Sequence, residues 1–284
     1  MGPAVECFFH EPTNSLTHLV YDEGSREAAL IDPVLDYDQR GARRGTAFID
    51  KVMQRIQAQG LRLVWILETH VHADHLTAAP EVKAKLGGIV AIGRQVVEVQ
   101  RRLGPLFGLE EQDGRQFDRL LQEGERLPLG RFEIRVLETP GHTPACVTYV
   151  VGDAAFVGDT LFMPDSGSAR CDFPGGDAGT LYRSIRRILA LPTDTRIYVC
   201  HDYKAGGARD KFAWETSVAA QRADNIHIRE EVAEAEFIAL REGRDKTLTL
   251  PVLILPAVQY NMRGGRPALG ADGKPFLVLP LDQV

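Results

Sequence analysis

Short apolar strands that end in turns rich in His and Asp, with helical periodicity in the segments between them, predict an α/β protein. The clearest strand is "LRLVWIL", residues 61–67, too short and too uniformly apolar for a surface helix and suited to a strand buried on both faces. It runs straight into "THVHADH", which packs three histidines and an aspartate into seven residues. The same construction recurs downstream, where "RFEIRVLE" alternates Phe132, Ile134 and Val136 with Glu133 and Arg135 and then breaks into the turn "TPGHTPA".

The remaining elements follow in order. "THLVY" and "AALIDP" read as early strands, the second closed by Asp32 and Pro33. Phe48, Ile49, Val52, Met53 and Ile56 recur at helical spacing until Gly60 ends the pattern. Pro80 suits a first helical turn and Gly87 a left-handed cap, which predicts a short helix over 80–86. "CVTYVVGDAAFVGDT" reads as two strands joined by a Gly152-Asp153 turn, the second delivering Asp159. A helix over roughly 180–190, with Leu181, Ile185, Ile188 and Leu189 on one face, leads to the strand "RIYVC" and then His201 and Asp202. With no repeat, low-complexity tract or linker in view, one domain over 1–284 is expected, its C-terminal extension (about 245–284) packing on it.

Composition narrows the function. With 284 residues, 44% hydrophobic and 25% charged, the chain can bury a large core. A net charge of −6 and a pI near 5.8 argue against a nucleic-acid surface. No apolar run approaches the roughly 20 residues that span a bilayer, and "MGPAVECFFHEPTN" lacks the basic start of a signal peptide, so a cytoplasmic protein without a membrane partner is expected. Cys7, Cys146, Cys171 and Cys200 are scattered without CxxC spacing and read as free thiols.

Of eight histidines, five (His70, His72, His75, His142 and His201) fall at strand ends, and that clustering is the signal. Imidazole and carboxylate are the ligands of zinc, iron and manganese, and strands feeding short turns hold them rigidly. Any one of these residues alone would read as an ordinary core histidine. His10, His18 and His227 are read that way.

"THVHADH", "GHTPA", "GDT" and "CHDY", in that order, resemble the metal-binding motifs of the metallo-β-lactamase fold, which implies an αββα sandwich of two mixed β-sheets flanked by helices. "SREAALIDPVLD", "PGHTPACVTYV", "RCDFPGGDAGTLYRSI", "CHDYKA" and "NMRGG" are similar across nearly the whole chain to the persulfide dioxygenases, in particular to a longer bacterial branch labelled β-lactamase-hydrolase-like. The resemblance implies one Fe(II) per chain, held by His70, His142 and Asp159 with coordination positions left open. It implies oxidation of glutathione persulfide by O₂ and water to sulfite and glutathione, in sulfide detoxification. Arg170, Tyr203 and Arg263 match positions that line the thiol-peptide pocket. A homodimer or higher homo-oligomer is expected. "RGARRG" at 40–45 is read as a solvated loop, and the long segment 101–125 as a lid or subunit contact.

The rival is a glyoxalase II-like thioester hydrolase, because His72, Asp74, His75 and His201 are the extra ligands such enzymes use for a second metal, with Asp159 spanning both. In the one-metal reading they support the ligands and bound water. The C-terminal "LPAVQYNMRGG" resembles the dioxygenase end, and no glyoxalase-type helical appendage is recognisable. A third possibility is a non-catalytic sulfur carrier with Cys171 as acceptor.

Overall fold

The computed structural model describes residues 2–282. The first half runs β1 (Ala4–His10), β2 (Ser15–Tyr21), β3 (Glu27–Ile31), β4 (Val34–Asp38), β5 (Arg43–Gly45), α1 (Ala47–Ala58), β6 (Arg62–Glu68), β7 (Leu76–Thr77), α2 (Ala79–Leu86), β8 (Ile89–Gly93), α3 (Val96–Leu103) and β9 (Arg119–Leu121). The second half runs β10 (Arg126–Leu129), β11 (Phe132–Glu138), β12 (Val147–Val151), β13 (Ala154–Phe156), α4 (Ala178–Leu189), β14 (Arg196–Tyr198), α5 (Lys204–Gly207), β15 (Glu215–Ser217), α6 (Val218–Asp224), α7 (Glu234–Asp245), α8 (Ile254–Asn261), β16 (Ala268–Leu269) and β17 (Pro275–Phe276). Two six-stranded sheets result, ordered β1-β2-β3-β6-β8-β9 and β10-β11-β12-β13-β14-β15. Both are mixed: β3, β6, β8 and β9 are parallel neighbours in the first, β13 and β14 in the second.

Period-two alternation sorts the strand side chains between layers. Ala29, Ile31, Trp65, Leu67 and Ala91 face inward and meet Ile134, Val136, Tyr149, Val151 and Phe156 of the second sheet. Ala28, Leu30, Ile66 and Ile92 face outward against Ile49 and Val52 of α1, Val82 of α2, Val99 of α3 and Ala257 of α8. On the far side Val150, Ala155 and Ile197 pack against Leu181, Ile185, Val218 and Phe237 from α4, α6 and α7. This is the αββα sandwich expected from the sequence, and "LRLVWIL" is indeed its doubly buried strand. Two polar ties cross the inner layer where an aromatic side chain would otherwise bury a bare donor: Tyr149 Oη donates to the Glu68 carbonyl (2.8 Å) and Trp65 Nε1 to the Pro128 carbonyl (2.9 Å).

The structure extends the sequence reading in several places. β1 was not expected, yet its residues alternate, Val5 and Cys7 toward the inner core and Ala4 and Phe8 toward the outer one. α4 begins two residues early because the Asp177 carboxylate caps it, accepting from the Thr180 amide at 2.7 Å. The 101–125 segment is not a lid. Leu103, Phe107, Leu109 and Phe117 are buried in the first outer layer, and β9 extends the first sheet parallel to β8.

The chemically loaded turns meet at one edge, because β3, β6, β13 and β14 all end there. Backbone hydrogen bonds stitch that edge together, from Asp32 N to Leu67 O (2.9 Å), Val147 N to Thr69 O (2.9 Å) and Leu16 N to Cys200 O (2.8 Å). A crevice at the carboxyl ends of parallel strands is the usual ligand position in such sheets.

Below this edge Arg241 of α7 is almost fully buried. It donates to Asp245 Oδ1 through Nε (3.0 Å) and to the Ser168 carbonyl through Nη1 (3.0 Å), while Asp245 Oδ2 accepts from the Cys171 amide (2.9 Å). Arg241→Met leaves Asp245 charged, buried and without its cation. We expect a loss of about 3–5 kcal/mol, read from the urea midpoint; a loss below 1 kcal/mol would contradict this role.

Burial lowers His18 to about 4, against smaller opposing effects from Asp32 and the Val199 carbonyl, and burial with Arg241 and Arg244 lowers His227 to about 4. Both folded values lie below the ordinary 6.5, so the unfolded chain takes up these protons first. Their contribution is present above pH 6.5 and lost as the pH falls through about 4. His227→Gln should therefore show a shallower decline of Tm between these limits than the parent, measured by thermal scans in matched buffers.

Candidate metal centre

The centre is built around the turn that follows β6. Asp32, just past β3, has φ 51°, a left-handed backbone that side chains rarely adopt. This turn aims its carboxylate at the next loop, where Oδ1 accepts from Thr69 N (2.7 Å) and Oδ2 from Thr69 Oγ1 (2.8 Å). Thr69 Oγ1 in turn accepts from His70 Nδ1 at 2.9 Å. With its proton committed to Nδ1, His70 presents a bare Nε2, buried and without a hydrogen-bond partner.

His142 arrives from the β11–β12 turn, its Nδ1 donating to the Arg170 carbonyl at 2.7 Å, which frees Nε2 in the same way. Gly141 sets this turn: at φ 139° a Cβ would lie 2.4 Å from the Leu181 amide nitrogen of α4. Asp159 follows β13 in the short turn Gly158–Thr160, and a Cβ on Gly158 would meet Thr69 Oγ1 at 2.6 Å. Only glycine lets the two loops approach that closely.

Asp159 Oδ2 stands 3.9 Å from His70 Nε2 and 3.7 Å from His142 Nε2, and the two rings are nearly perpendicular (86°). Separations of this size suit three ligands placed about 2.0–2.2 Å from one ion. A second group lies beside the first. His72, Asp74, His75 and His201 also offer ligand atoms within 4.8 Å of one another, and Asp159 Oδ1 is 3.1 Å from His201 Nε2. His72 Nδ1, His75 Nε2, His201 Nε2 and Asp159 Oδ1 are buried without hydrogen-bond partners. Orphaned imidazole nitrogens converging on a carboxylate fit a His/Asp metal-binding cluster.

Electrostatics divide the histidines. Burial, with His72 and His142 adding repulsion, holds His70 well below its ordinary value, so it stays neutral and able to ligate. His72 goes the other way. Burial opposes its charge, but Asp32 Oδ1 at 3.1 Å and Glu68 Oε2 at 3.5 Å raise it to about 10. His201 is likewise raised well above its ordinary value against burial, by Asp159 and Asp74. Asp74 is held well below its own, again against burial, by His201 and His75.

Asn261, at the end of α8, was missed by the sequence reading. Its Oδ1 accepts from Thr77 N (2.8 Å) while Nδ2 donates to the carbonyls of His72 (2.9 Å) and His75 (2.7 Å), clamping the histidine loop from the far end of the chain. Its only sequence signal is its place in "NMRGG". Glu68 was also missed; it accepts from Thr77 Oγ1 as well as facing His72.

The centre opens into a cavity of ≈ 1120 Å³. Of the predicted substrate contacts, Arg170 and Tyr203 line it and Arg263 does not. Arg263 instead donates to the Phe107 carbonyl (2.8 Å), bracing the 101–125 segment. Arg170 is engaged by Asp172 (2.6 and 2.7 Å) and the Thr249 carbonyl (2.7 Å). Tyr203 stacks on His201, centroids 6.0 Å apart, with its side chain about half exposed. The stretch 40–45 is solvated as expected, residues 40–44 being exposed, but 43–45 form β5 rather than loop, and Arg43 and Arg44 both line the cavity, as does His10, whose Nε2 is 3.2 Å from Asp36.

A four-layer αββα fold with a buried His/Asp centre at the strand ends defines a metal-binding class. Residues 11–201 match the model of the Metallo-beta-lactamase superfamily, and the chain belongs to that superfamily. It is 53% identical over 294 residues to a probable metallo-hydrolase of Burkholderia pseudomallei (strain 1710b), covering 99% of each. It is 33% identical to the mitochondrial persulfide dioxygenase ETHE1 of Mus musculus over 90% of this chain and 87% of that one. The crystal structure of ETHE1 from Myxococcus xanthus superposes with a TM-score of 0.74 at 29% identity, covering 93% of this chain and 100% of that one. Within the superfamily the chain is thus a homologue of the ETHE1 persulfide dioxygenases.

Thr69→Val tests the hydroxyl bridge between Asp32 and His70. It keeps the side-chain shape and removes the group that fixes the imidazole, so metal affinity should fall about 10 to 100-fold with an unchanged circular dichroism spectrum. Chelator competition measures it, and an unaltered affinity would remove the bridge from the account.

Proposed function

We propose that this chain is a mononuclear non-haem Fe(II) persulfide dioxygenase that converts glutathione persulfide, O₂ and water into sulfite and glutathione. The observation that carries the proposal is the His70, His142 and Asp159 set, two bare imidazole nitrogens and one carboxylate gathered beside the cavity. Two histidines and a carboxylate leave positions open on a ferrous ion, which would bring the persulfide and O₂ together and carry the electrons between them. The terminal sulfur gives up four electrons to O₂, both oxygen atoms pass to sulfur, and water supplies the third oxygen of sulfite and the proton on the released thiol.

The chain's own residues prepare the reactants. Asp32 and Thr69 hold His70 in one tautomer, and the Arg170 carbonyl does the same for His142. Tyr203, on the cavity wall beside His201, is placed to donate a hydrogen bond to a bound thiol peptide. The four cysteines take no nucleophilic part in this reading. Burial foremost pushes the Cys171 thiol up to about 12, so it is a poor thiolate and a weak candidate for a sulfur carrier.

The second ligand group supports one competing reading, a binuclear thioester hydrolase in which His72, Asp74, His75 and His201 hold a second ion. Paired measurements on His70→Ala and His75→Ala separate the two. The dioxygenase reading expects near one iron per chain, O₂ uptake matched by sulfite, loss of both in His70→Ala, and retained iron with activity reduced about 10 to 100-fold in His75→Ala. Two metals per chain halved by His75→Ala, with fast cleavage of a glutathione thioester, would overturn it.

A further inference from the structure

The cavity beside the metal centre carries two cations with nothing to bind. Each aspartate lining it is already engaged: Asp36 accepts from the Phe48 amide (2.8 Å) and faces His10, Asp38 accepts from the Arg40 and Gly41 amides (3.1 and 3.2 Å), and Asp74 and Asp159 belong to the centre. Of the five lining arginines, Arg44 donates to Tyr260 Oη (3.1 Å), Arg170 is held by Asp172, and Arg241 by Asp245. Arg43 and Arg244 make no side-chain hydrogen bond or ion pair among the described residues.

These two arginines come from opposite flanks of the sandwich. Arg43 lies on β5, whose partner strand β4 packs against α1 on the first sheet's side, and Arg244 lies in the last turn of α7, which packs on α4 beyond the second sheet. The surroundings differ as well. Asp36 and Asp38 on β4, neither paired with an arginine or lysine, make the wall beside Arg43 mixed in charge, whereas on the other wall Arg170 and Arg241 are neutralised by Asp172 and Asp245 and Arg244 is left as the unpaired cation. A guanidinium is a fork made for a carboxylate.

Resting on the dioxygenase reading for the identity of the thiol, we propose that Arg43 and Arg244 select a thiol peptide with a carboxylate at each end. Arg244 holds the lone carboxylate. Arg43 holds the end that carries both carboxylate and ammonium, where Asp36 and Asp38 favour the ammonium and disfavour a dianionic phosphate. The two residues are binding and specificity groups and do not touch the reacting sulfur.

Calorimetry on the metal-loaded protein tests this without turnover, using glutathione, its glycyl monoethyl ester, cysteinylglycine and coenzyme A as probes. Arg43→Gln and Arg244→Gln should each raise the Kd for glutathione about tenfold, a charge-assisted contact discounted for exposure, with metal content unchanged. The ester, which lacks the lone carboxylate, should bind the parent and Arg244→Gln equally. Cysteinylglycine, which lacks the zwitterionic end, should not distinguish the parent from Arg43→Gln. The proposal is overturned if glutathione does not bind, if neither substitution alters its Kd, or if coenzyme A binds more tightly and depends on both arginines. A protein that shows the expected pattern yet consumes no O₂ with the persulfide overturns the dioxygenase reading and leaves the anion assignment intact.

Discussion

The carboxylate of Asp32 is the constraint on which both halves of the metal centre depend. It is almost fully buried and charged, a state that costs several kcal/mol unless every lone pair is used. Here the Thr69 amide, the Thr69 hydroxyl, His72 Nε2 and the Cys200 thiol use them, so its left-handed turn is held by the same contacts that orient the histidines. The opposing charge keeps Asp32 below the usual carboxylate range against its burial, chiefly through His72. One residue outside the histidine motif thereby fixes the tautomer of His70 and the charge of His72.

The rest of the architecture brings partners to that anchor. The inner layer fixes the spacing of the sheets, Gly158 lets the second sheet's loop reach Thr69 beside the first sheet's histidines, Gly141 seats the His142 turn against α4, and Asn261 ties down the histidine loop. None of these contacts is strong alone. Together they leave each imidazole a single orientation, which is the preorganisation a metal site needs.

The sequence revealed what was local and hid what was long-range. "LRLVWIL" and "THVHADH" were readable because burial on both faces and ligand spacing are properties of neighbours in the chain. Asn261 was not, since its partners His72 and His75 lie 189 and 186 residues away. The cavity wall was hardest to read. Arg263 sits in a motif matched to pocket positions, yet folding turns it to the Phe107 carbonyl, while Arg43, in a run that looked like solvated loop, is carried to the cavity by the β4–β5 hairpin. Side-chain destination depends on tertiary packing, which composition and periodicity do not encode. The 101–125 segment misled for the same reason, its apolar residues being spaced too irregularly to announce a packed layer and an edge strand.

Asp159 offers one oxygen toward His70 and His142 and the other toward His201. A single negative charge divided between two neighbouring positions couples them electrically, because a cation beside one oxygen withdraws electron density from the other. Any ion held by His70 and His142 would then face a more positive field whenever the adjoining position is filled, and its oxidised state would be harder to reach. The reduction potential of such an ion would then depend on what occupies the position next door.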